Sequence, residues 1–497
     1  QVWLKGASGD VAVSAGADQI IGFSGVTAMD NAVTTAAVSP TFAISGSKGE
    51  LEVKSSKTTS VNFIGTGGEV AMDLTTGSTA TNELTAITSS TSGTLTLDLT
   101  SLTDLETVTA NGEGGLVIEG VSDTVATITT GEGADKLTLN TETKKDLAST
   151  AKDETVTATL ESGDGADQVI VSVSGAGIAS VDTGAGDDVI KVDHSSTGDL
   201  DVTAGAGNDV VWLENGTAEL TAKASVDGGD GIDTLAIPGD EVFSTGDYLK
   251  LTQYATSFES ILAVGAIGSA AKPVDASEFP DVIAYTVTKG LNYFEEVASG
   301  TSFTNTLYQR DEEDYLGDYS LASADNPTGA TTFGAPLVSI ETAGYKADED
   351  LEDDDFAAEY GGNVSITSAT ASSALAGSPL AALGTSQTYD VFASNVQVVV
   401  AAIDLGKSGG FSQDVTLTGD METVTVVLAS ARGTSTKAGG EYLAQFSITT
   451  DPTEDADAMQ GLKAITVVGA GMVTIDASDD GDIAFGRADL AVGVLVG

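Results

Sequence analysis

Five short segments share one pattern, and this repeat limits the possible folds more than any other feature of the chain. Each reads x-Gly-x-Gly-x-Asp-x-U-x-U, where U is aliphatic. The segments are TGEGADKLTL (130–139), SGDGADQVIV (162–171), TGAGDDVIKV (183–192), AGAGNDVVWL (204–213) and GGDGIDTLAI (228–237). Aliphatic residues at every second position directly after a glycine turn predict a β-strand with one face in a core. The repeat therefore predicts five strands that share one interior.

The spacing of the repeat predicts a coil. Asp167, Asp188 and Asp209 follow one another at intervals of 21 residues, and between them GAGIASVDT (175–183) keeps two glycines but has Ala179 in place of the aspartate. If half a coil takes about nine residues, alternate turns fall on opposite sides. We expect the aspartates on one rim and blank turns on the other. Asp135 precedes Asp167 by 32 residues, which indicates either an extra coil or an interruption.

The residue types of the turn suit a hard cation. Glycine reaches backbone torsions that a Cβ forbids and leaves carbonyl groups open to an ion, while the aspartate adds charge beside them. Calcium takes six to eight oxygen ligands, more than one turn offers, so we expect ions between the turns of successive coils. The predicted metal-site residues are Gly131, Gly133, Asp135, Gly163, Gly165, Asp167, Gly184, Gly186, Asp188, Gly205, Gly207, Asp209, Gly229, Gly231 and Asp233.

The charge of the chain points to the same partner. Aspartate and glutamate number 74 against 20 lysines and arginines, a formal charge of −54. Such a chain repels itself unless cations collect on it, and nucleic acid and anionic membranes are poor partners. Cysteine is absent, and the single histidine, His194, excludes a zinc site with two imidazoles. We interpret His194 as a surface residue without a catalytic role.

The remaining chain predicts a mostly β protein of several domains. Thr- and Val-rich alternating segments recur throughout, and no run of 18 apolar residues is present, so we expect no membrane span. The predicted division is an N-terminal β domain (1–120), a calcium β-roll (121–237), a mixed or inserted domain (238–345) and a C-terminal β domain (346–497). Short helices are expected at 244–256 and 290–298. The acidic segment 346–356 is a solvated loop or a cation site.

The turns resemble the glycine- and aspartate-rich nonapeptide of RTX proteins, whose ideal form is Gly-Gly-x-Gly-x-Asp-x-U-x. This resemblance covers 130–237 and implies a calcium-filled parallel β-roll. Four of the five copies depart from it at the first glycine, with Thr130, Ser162, Thr183 and Ala204. The wider texture looks like RTX surface-layer proteins, which implies type I secretion, folding outside the cell on calcium and assembly into a lattice. The expected fold is a parallel β-roll flanked by β-sandwich or β-solenoid-like domains, elongated and multidomain.

Two other classes of function stay open on the sequence. An RTX-type calcium-dependent adhesin would carry a ligand-binding domain, and a secreted hydrolase could use two of the many carboxylates. The structural interpretation predicts no enzyme activity, an extracellular location at the cell surface, self-association, and a cell-surface polysaccharide as a further candidate partner. Two weaker calcium-turn candidates are 13–23, with Asp18, and 476–485, which resembles the start of an EF-hand loop.

Overall fold

The computed structural model describes most of the chain in separate ranges. The described residues are 1–6, 12–16, 19–26, 29–55, 57–75, 84–100, 102, 104–120, 125–141, 157–195, 197–238, 243–264, 267–287, 291–305, 337–343, 362–368, 385–402, 412–430, 443–449, 464–469, 471–476, 484–488 and 492–496. Contacts divide the chain into two compact units. Unit 1 comprises Gln1–Leu235 and Gln253–Phe258, and unit 2 comprises Ala236–Thr252 and Glu259–Gly497.

Strands dominate the first part of the chain, up to residue 238. They are β1 (Val2–Lys5), β2 (Val13–Ala15), β3 (Ile20–Ser24), β4 (Met29–Thr35), β5 (Thr41–Lys54), β6 (Ser60–Thr75), β7 (Ala86–Thr91), β8 (Leu95–Asp98), β9 (Thr107–Ala110), β10 (Leu116–Gly120), β11 (Thr127–Thr129), β12 (Lys136–Thr141), β13 (Thr157–Glu161), β14 (Gln168–Val173), β15 (Ile178–Asp182), β16 (Val189–His194), β17 (Leu200–Thr203), β18 (Val210–Leu213), β19 (Ala224–Asp227) and β20 (Thr234–Pro238), with a 3₁₀ helix at Gly216–Ala218.

In the second part the described residues form strands and one α-helix. The elements are α1 (Thr245–Tyr254), β21 (Ala255–Thr256), β22 (Ser260–Val264), β23 (Val274–Asp275), β24 (Ala284–Val287), β25 (Leu291–Val297), β26 (Ser302–Asn305), β27 (Leu337–Thr342), β28 (Asn363–Ser368), β29 (Thr385–Ala402), β30 (Ser412–Ser430), β31 (Leu443–Thr449), β32 (Ala464–Gly469), β33 (Gly471–Asp476), β34 (Ala484–Ala488) and β35 (Val492–Val496), with a 3₁₀ helix at Ala276–Glu278.

Parallel pairing between alternate strands makes unit 1 a β-solenoid. In the central coils each strand pairs with the strand two places further along, so β14 pairs with β16, β16 with β18, and β15 with β17. Each coil of the solenoid therefore consists of two strands. All named strand pairs in the described residues of either unit are parallel. The mostly β class and the parallel roll are confirmed, and the flanking regions follow the β-solenoid alternative.

The core of unit 1 consists of in-register ladders of apolar side chains. Val169, Ile190 and Val211 occupy the same register on successive coils and are fully buried. The aliphatic positions of the sequence repeat are therefore the interior positions, as predicted. Near the start of the chain Phe42 takes the same role, with its ring centroid 6.5 Å from Phe23 and 6.0 Å from Phe63.

Unit 2 keeps the same construction with longer strands. β29 pairs along its length with both β27 and β28, and β30 pairs with β31 and β32. An aromatic cluster fills part of its interior, with the Tyr285 ring 4.8 Å from Phe294 and 5.3 Å from Phe303. Within the described residues no helix is long and apolar enough to cross a membrane.

One of the two predicted helices is confirmed and the other is wrong. The segment 244–256 contains α1, whose Tyr248 packs against Phe243 and Phe279 and accepts a hydrogen bond from the Asp275 backbone N–H at 2.8 Å. The segment 290–298 forms β25 instead. Its alternate residues Asn292 and Phe294 are buried, because pairing with β27 fixes an extended backbone whatever the local helix preference.

The predicted four-domain division stays a prediction. β10 and β12 pair across its first boundary at residue 120, through Val117 and Lys136. The segments 346–356 and Asp18 lie outside the described residues, as does most of the loop in 476–485.

Candidate metal centre

The five repeat turns stack on one side of unit 1, which we call the aspartate rim. It comprises 130–135, 162–167, 183–188, 204–209 and 228–233. β-bridges join the residues between the two glycines of successive turns, namely Glu132, Asp164, Ala185, Ala206 and Asp230. The structure thus brings together all fifteen residues singled out in the sequence, along one rim.

The glycines of the aspartate rim are required by sterics as well as by torsion. Gly186 has φ +143°, and a Cβ there would lie 1.5 Å from the carbonyl oxygen of Gly165 in the preceding coil. Gly184, at φ +85°, would place a Cβ 2.0 Å from the carbonyl oxygen of Gly163. Any side chain at these positions would push the coils apart, so glycine is what allows the turns to stack at β-ladder distance.

The aspartates form a column of hydrogen bonds that runs between coils. In the last four aspartates, Oδ1 accepts the backbone N–H of the aspartate one coil earlier. The four contacts, Asp135 N to Asp167, Asp167 N to Asp188, Asp188 N to Asp209 and Asp209 N to Asp233, are all 2.8 Å long. Each carboxylate therefore fastens its own turn to the turn before it.

The column is buried, and four of its aspartates each have one carboxylate oxygen without a donor among the described residues. Each of the five aspartates is at most 3% exposed. The Oδ2 atoms of Asp135, Asp167, Asp188 and Asp209 are buried without a hydrogen-bond partner among the described residues. A buried ionised carboxylate is costly unless a positive charge or enough donors compensate it. These oxygens are the strongest indication of a ligand on the rim.

Burial raises the pKa values of the column. It brings the pKa of Asp135 and of Asp188 to about 7 and that of Asp209 to about 6, and it also raises the pKa of Asp167. The backbone N–H donors oppose this shift, while neighbouring carboxylates add to it. Without a cation, protons are the remaining means of neutralising the column near neutral pH.

A column of hydroxyl groups runs beside the aspartates, and sequence reasoning missed its role. Thr130, Ser162 and Thr183 are buried, and their hydroxyls donate to the carbonyl oxygens of Ser162, Thr183 and Ala204 at 2.7, 3.1 and 2.7 Å. Each hydroxyl also lowers in part the pKa of the aspartate in its own turn. The departures from glycine at this position therefore add bonds between coils. Each hydroxyl has one proton, so its bond to the carbonyl of the next coil competes with donation to the aspartate of its own turn.

A sixth turn belongs to the rim and carries no aspartate. Residues 111–115 (NGEGG) precede Leu116, whose backbone N–H donates to Oδ1 of Asp135. The buried Leu116 side chain occupies the place that aspartate has in the later turns. The sequence signal for this turn is the pair of glycines at the same two positions as in the repeat. A search that also requires the aspartate does not find it. The rim thus begins with an apolar turn.

The interval of 32 residues between Asp135 and Asp167 is an interruption and not an extra coil. β12 pairs directly with β14 through six residues in register, and Asp135 bonds directly to Asp167. The additional residues connect β12 to β13 and fall in 142–156, outside the described residues.

Side chains alone do not form a metal cage here. Across the ranges the structure describes, no three Asp, Glu, His or Cys side chains are grouped closely enough to hold an ion. A cation on the rim would therefore take one carboxylate oxygen together with backbone carbonyl oxygens. The Gly163 and Gly184 carbonyls already accept N–H groups from Ala185 and Ala206, but each carbonyl oxygen has a second lone pair. The donor set is all oxygen, which suits calcium.

The interpretation of His194 as a surface residue is wrong. Only 5% of His194 is exposed, because it occupies the inward position at the end of β16 and pairs in register with buried Val173. It lies on the rim opposite the aspartates, formed by 174–177, 195–199 and 214–223 with the adjoining strand ends. We call this the opposite rim.

Comparison of the chain with protein-family models, with curated proteins and with solved structures gives no match. The site is therefore interpreted from its own residues and geometry.

Proposed function

We propose that this chain is a structural extracellular protein that folds on calcium and assembles with copies of itself into a surface lattice or a related polymer. The observation that carries the proposal is the column of buried aspartates, in which Oδ1 accepts a backbone N–H and Oδ2 of Asp135, Asp167, Asp188 and Asp209 has no donor among the described residues. A column of this kind is unfavourable when ionised, and a doubly charged cation is the simplest group that would compensate it.

The residues that would hold calcium are those of the aspartate rim. Asp135, Asp167, Asp188, Asp209 and Asp233 would supply carboxylate oxygens and the turn glycines carbonyl oxygens. When bound, calcium supplies positive charge where the coils meet. The chain's own residues set the register through the N–H to Oδ1 bonds and the hydroxyl column. Because successive turns contribute to one rim, folding and binding are thermodynamically linked.

The net charge supports assembly that depends on cations. Copies of a chain with a formal charge of −54 repel one another, so side-by-side contacts require counter-ions. Extracellular calcium modules commonly bind at about 10⁻⁴–10⁻³ M, which matches calcium outside cells and not inside them. We infer that calcium shifts the folding equilibrium, so that the chain is much less stable at cytosolic calcium and folds fully after export. A cell-surface polysaccharide is the proposed anchoring partner.

Thermal unfolding with and without calcium tests the metal site. We expect millimolar calcium to raise the Tm of the full chain and a chelator to reverse this, with magnesium less effective. Replacing Asp135, Asp167, Asp188 and Asp209 together with Asn should abolish the calcium shift. The exposed neighbour Asp187→Asn is the matched control and should keep it. A chelator that leaves the Tm and circular dichroism unchanged would exclude the calcium role.

Electron microscopy of the purified protein tests the assembly. Sheets, tubes or filaments that form with calcium and disperse with chelator support the structural function. Dispersed particles under both conditions, from protein whose Tm still responds to calcium, would overturn the lattice and leave the adhesin and the hydrolase as candidates. The two experiments therefore separate failure of the metal site from failure of the assembly.

A further inference from the structure

A second buried carboxylate lies on the opposite rim, where the sequence repeat predicts no chemistry. Glu219 follows the 3₁₀ helix of the turn 214–223 and is 1% exposed. Its neighbour is His194, the only histidine in the chain, which is 5% exposed. A glutamate and a histidine so deeply buried, in a connection between strands, require a physical reason.

Glu219 joins its turn to the preceding coil through both its carboxylate and its backbone. Its Oε1 accepts the backbone N–H of His194 at 3.2 Å and the side-chain amide of Asn215 at 3.0 Å. Its backbone carbonyl oxygen lies 3.0 Å from Nδ1 of His194. Within the described residues, Oε2 of Glu219 and Nε2 of His194 are buried without hydrogen-bond partners. The carboxyl group and the backbone of Glu219 therefore both hold the turn over the end of β16.

The charges around Glu219 favour its neutral form. Asp193 on β16 adds a nearby negative charge. The cations on the neighbouring elements are engaged with other carboxylates, Lys191 with Glu214 at 3.2 Å and Lys223 with Asp199 at 3.6 Å. Among the described ion pairs none includes Glu219.

The pKa of Glu219 is raised to about 7, mainly by burial. Hydrogen bonds from Asn215 and His194 oppose this rise, and the charge of Asp193 adds to it. The carboxyl group is thus protonated in the closed turn at acidic pH and loses its proton near neutrality. An ionised Glu219 in this position would be a buried anion beside another anion.

We propose that Glu219 is a proton-operated latch: the neutral acid holds the turn 214–223 closed over His194, and loss of its proton to water opens that turn. Opening hydrates the carboxylate, which removes the cost of burying it, and exposes His194 and the end of β16. The latch is independent of the proposed calcium site, because it lies on the opposite rim and uses none of the column aspartates.

Hydrogen exchange of the full chain tests the latch. The experiment measures backbone protection of His194 and of 216–220 between pH 5 and 8.5, corrected for the intrinsic exchange rate, at constant millimolar calcium. The closed turn holds its proton up to a pKa of about 7, against 4.5 when open. Linkage then predicts that the opening constant rises about tenfold per pH unit from about pH 5 to 7 and levels off above. Peptides from β3 (Ile20–Ser24), which contains no titratable side chain, are the internal reference and should keep constant protection.

Two variants separate the latch from general loosening. Glu219→Gln keeps an acceptor at Oε1 and cannot ionise, so its opening constant should lose the pH dependence. Asp201→Asn removes an exposed carboxylate of β17 that takes part in no described ion pair, and it should keep the wild-type slope. A slope equal in wild type and Glu219→Gln, or a flat wild-type profile, would overturn the proposal.

The reactivity of His194 toward diethyl pyrocarbonate gives a second readout. Because His194 is the only histidine, the modified fraction needs no assignment to a site. The ratio of wild-type to Glu219→Gln reactivity should rise from pH 6 to 8, because only the wild-type turn opens as the pH rises. A constant ratio contradicts the latch. If Glu219→Gln does not fold, the wild-type exchange profile alone decides between a slope and no slope.

Discussion

The same strands of unit 1 end at both rims, but the turns of the two rims differ. Those of the aspartate rim are uniform in length, and those of the opposite rim are not. On the aspartate rim every turn from 130 to 233 has six residues, stacked glycines and one buried carboxylate. On the opposite rim the connections between described strands are 174–177, 195–199 and 214–223, which have four, five and ten residues. Variation in coil length is therefore confined to one side. The interval of 24 residues between Asp209 and Asp233, against 21 earlier, reflects the longer turn 214–223.

The difference shows what keeps a solenoid in register. Where turns stack, a Cβ at Gly186 would collide with the coil before it, and each aspartate bonds to a fixed backbone N–H. One inserted residue would break both features. The opposite rim has no such column in the described residues, so it accommodates longer turns. One of these turns contains the proposed Glu219 latch. Because the aspartate rim fixes the register of the coils, the turns of the opposite rim can vary in length.

Adding one methyl group to each of two glycines should give the largest contrast. Gly186→Ala places a Cβ 1.5 Å from the Gly165 carbonyl oxygen at φ +143°, whereas Gly25 has φ +62° and open space around it. We expect Gly186→Ala to lower the free energy of unfolding by about 4 kcal/mol or more, because a coil contact is lost as well as a torsion. Gly25→Ala should cost about 1 kcal/mol. Urea unfolding measures both, and equal losses would show that stacking is not limiting.

The pH dependence of metal-free protein should distinguish the column from ordinary surface carboxylates. The folded-state pKa values of Asp135 and Asp188 are about 7, above the 3.8 of an unperturbed aspartate. The folded state therefore binds more protons between pH 4 and 7, and its stability falls as the pH rises through that window. We expect the chelated protein to be about 2–4 kcal/mol more stable at pH 5 than at pH 8.

The matched control is the variant with Asn at 135, 167, 188 and 209. It keeps all exposed carboxylates and the buried Glu219 of the opposite rim, so any remaining pH dependence belongs to those groups. Its unfolding free energy should change much less between pH 5 and 8. An identical pH profile in variant and wild type would mean that the column does not titrate in this range.

A single substitution in the column should change sign with calcium. Without calcium at pH 8, Asp188→Asn removes a buried negative charge and should raise the unfolding free energy by about 1 kcal/mol. With calcium it removes a ligand and should lower it by about 1–3 kcal/mol. The measurement is the Tm of each protein with calcium and with chelator. The same sign under both conditions would argue that Asp188 is a purely structural acceptor.

Much of the fold, and the positions of the aspartates, could be predicted from the sequence because their signals are local and periodic. Val169, Ile190 and Val211 follow a glycine turn at a fixed offset, and period two assigns them to the interior. The spacing of 21 residues likewise predicts one rim. What the sequence could not show depends on partners in another coil. His194 is buried because Glu219, 25 residues later, folds back over it.

The same limit explains the other misses. The segment 290–298 has no strong strand pattern of its own, and its extended form follows from pairing with β27. The turn 111–115 lacks the aspartate that defines the repeat, so only its stacking identifies it. The hydroxyl of Thr183 departs from the ideal repeat, and its purpose is visible only in the contact with Ala204 one coil later.

The hydrogen bond from Thr183 to Ala204 allows a comparison of the two rims with single substitutions, and the expected difference in stability is the smallest of those predicted here. Thr183→Ala removes a buried hydroxyl and leaves the Ala204 carbonyl without this donor, so the free energy of unfolding should fall by about 1–1.5 kcal/mol. Thr197→Ala removes an exposed hydroxyl that donates to the Gly175 carbonyl oxygen at 3.0 Å on the opposite rim, where water replaces the lost partner. Its cost should be within about 0.5 kcal/mol. Equal costs in urea unfolding would mean that the hydroxyl column adds no more than a surface contact, and that glycine stacking and the aspartates alone enforce the register.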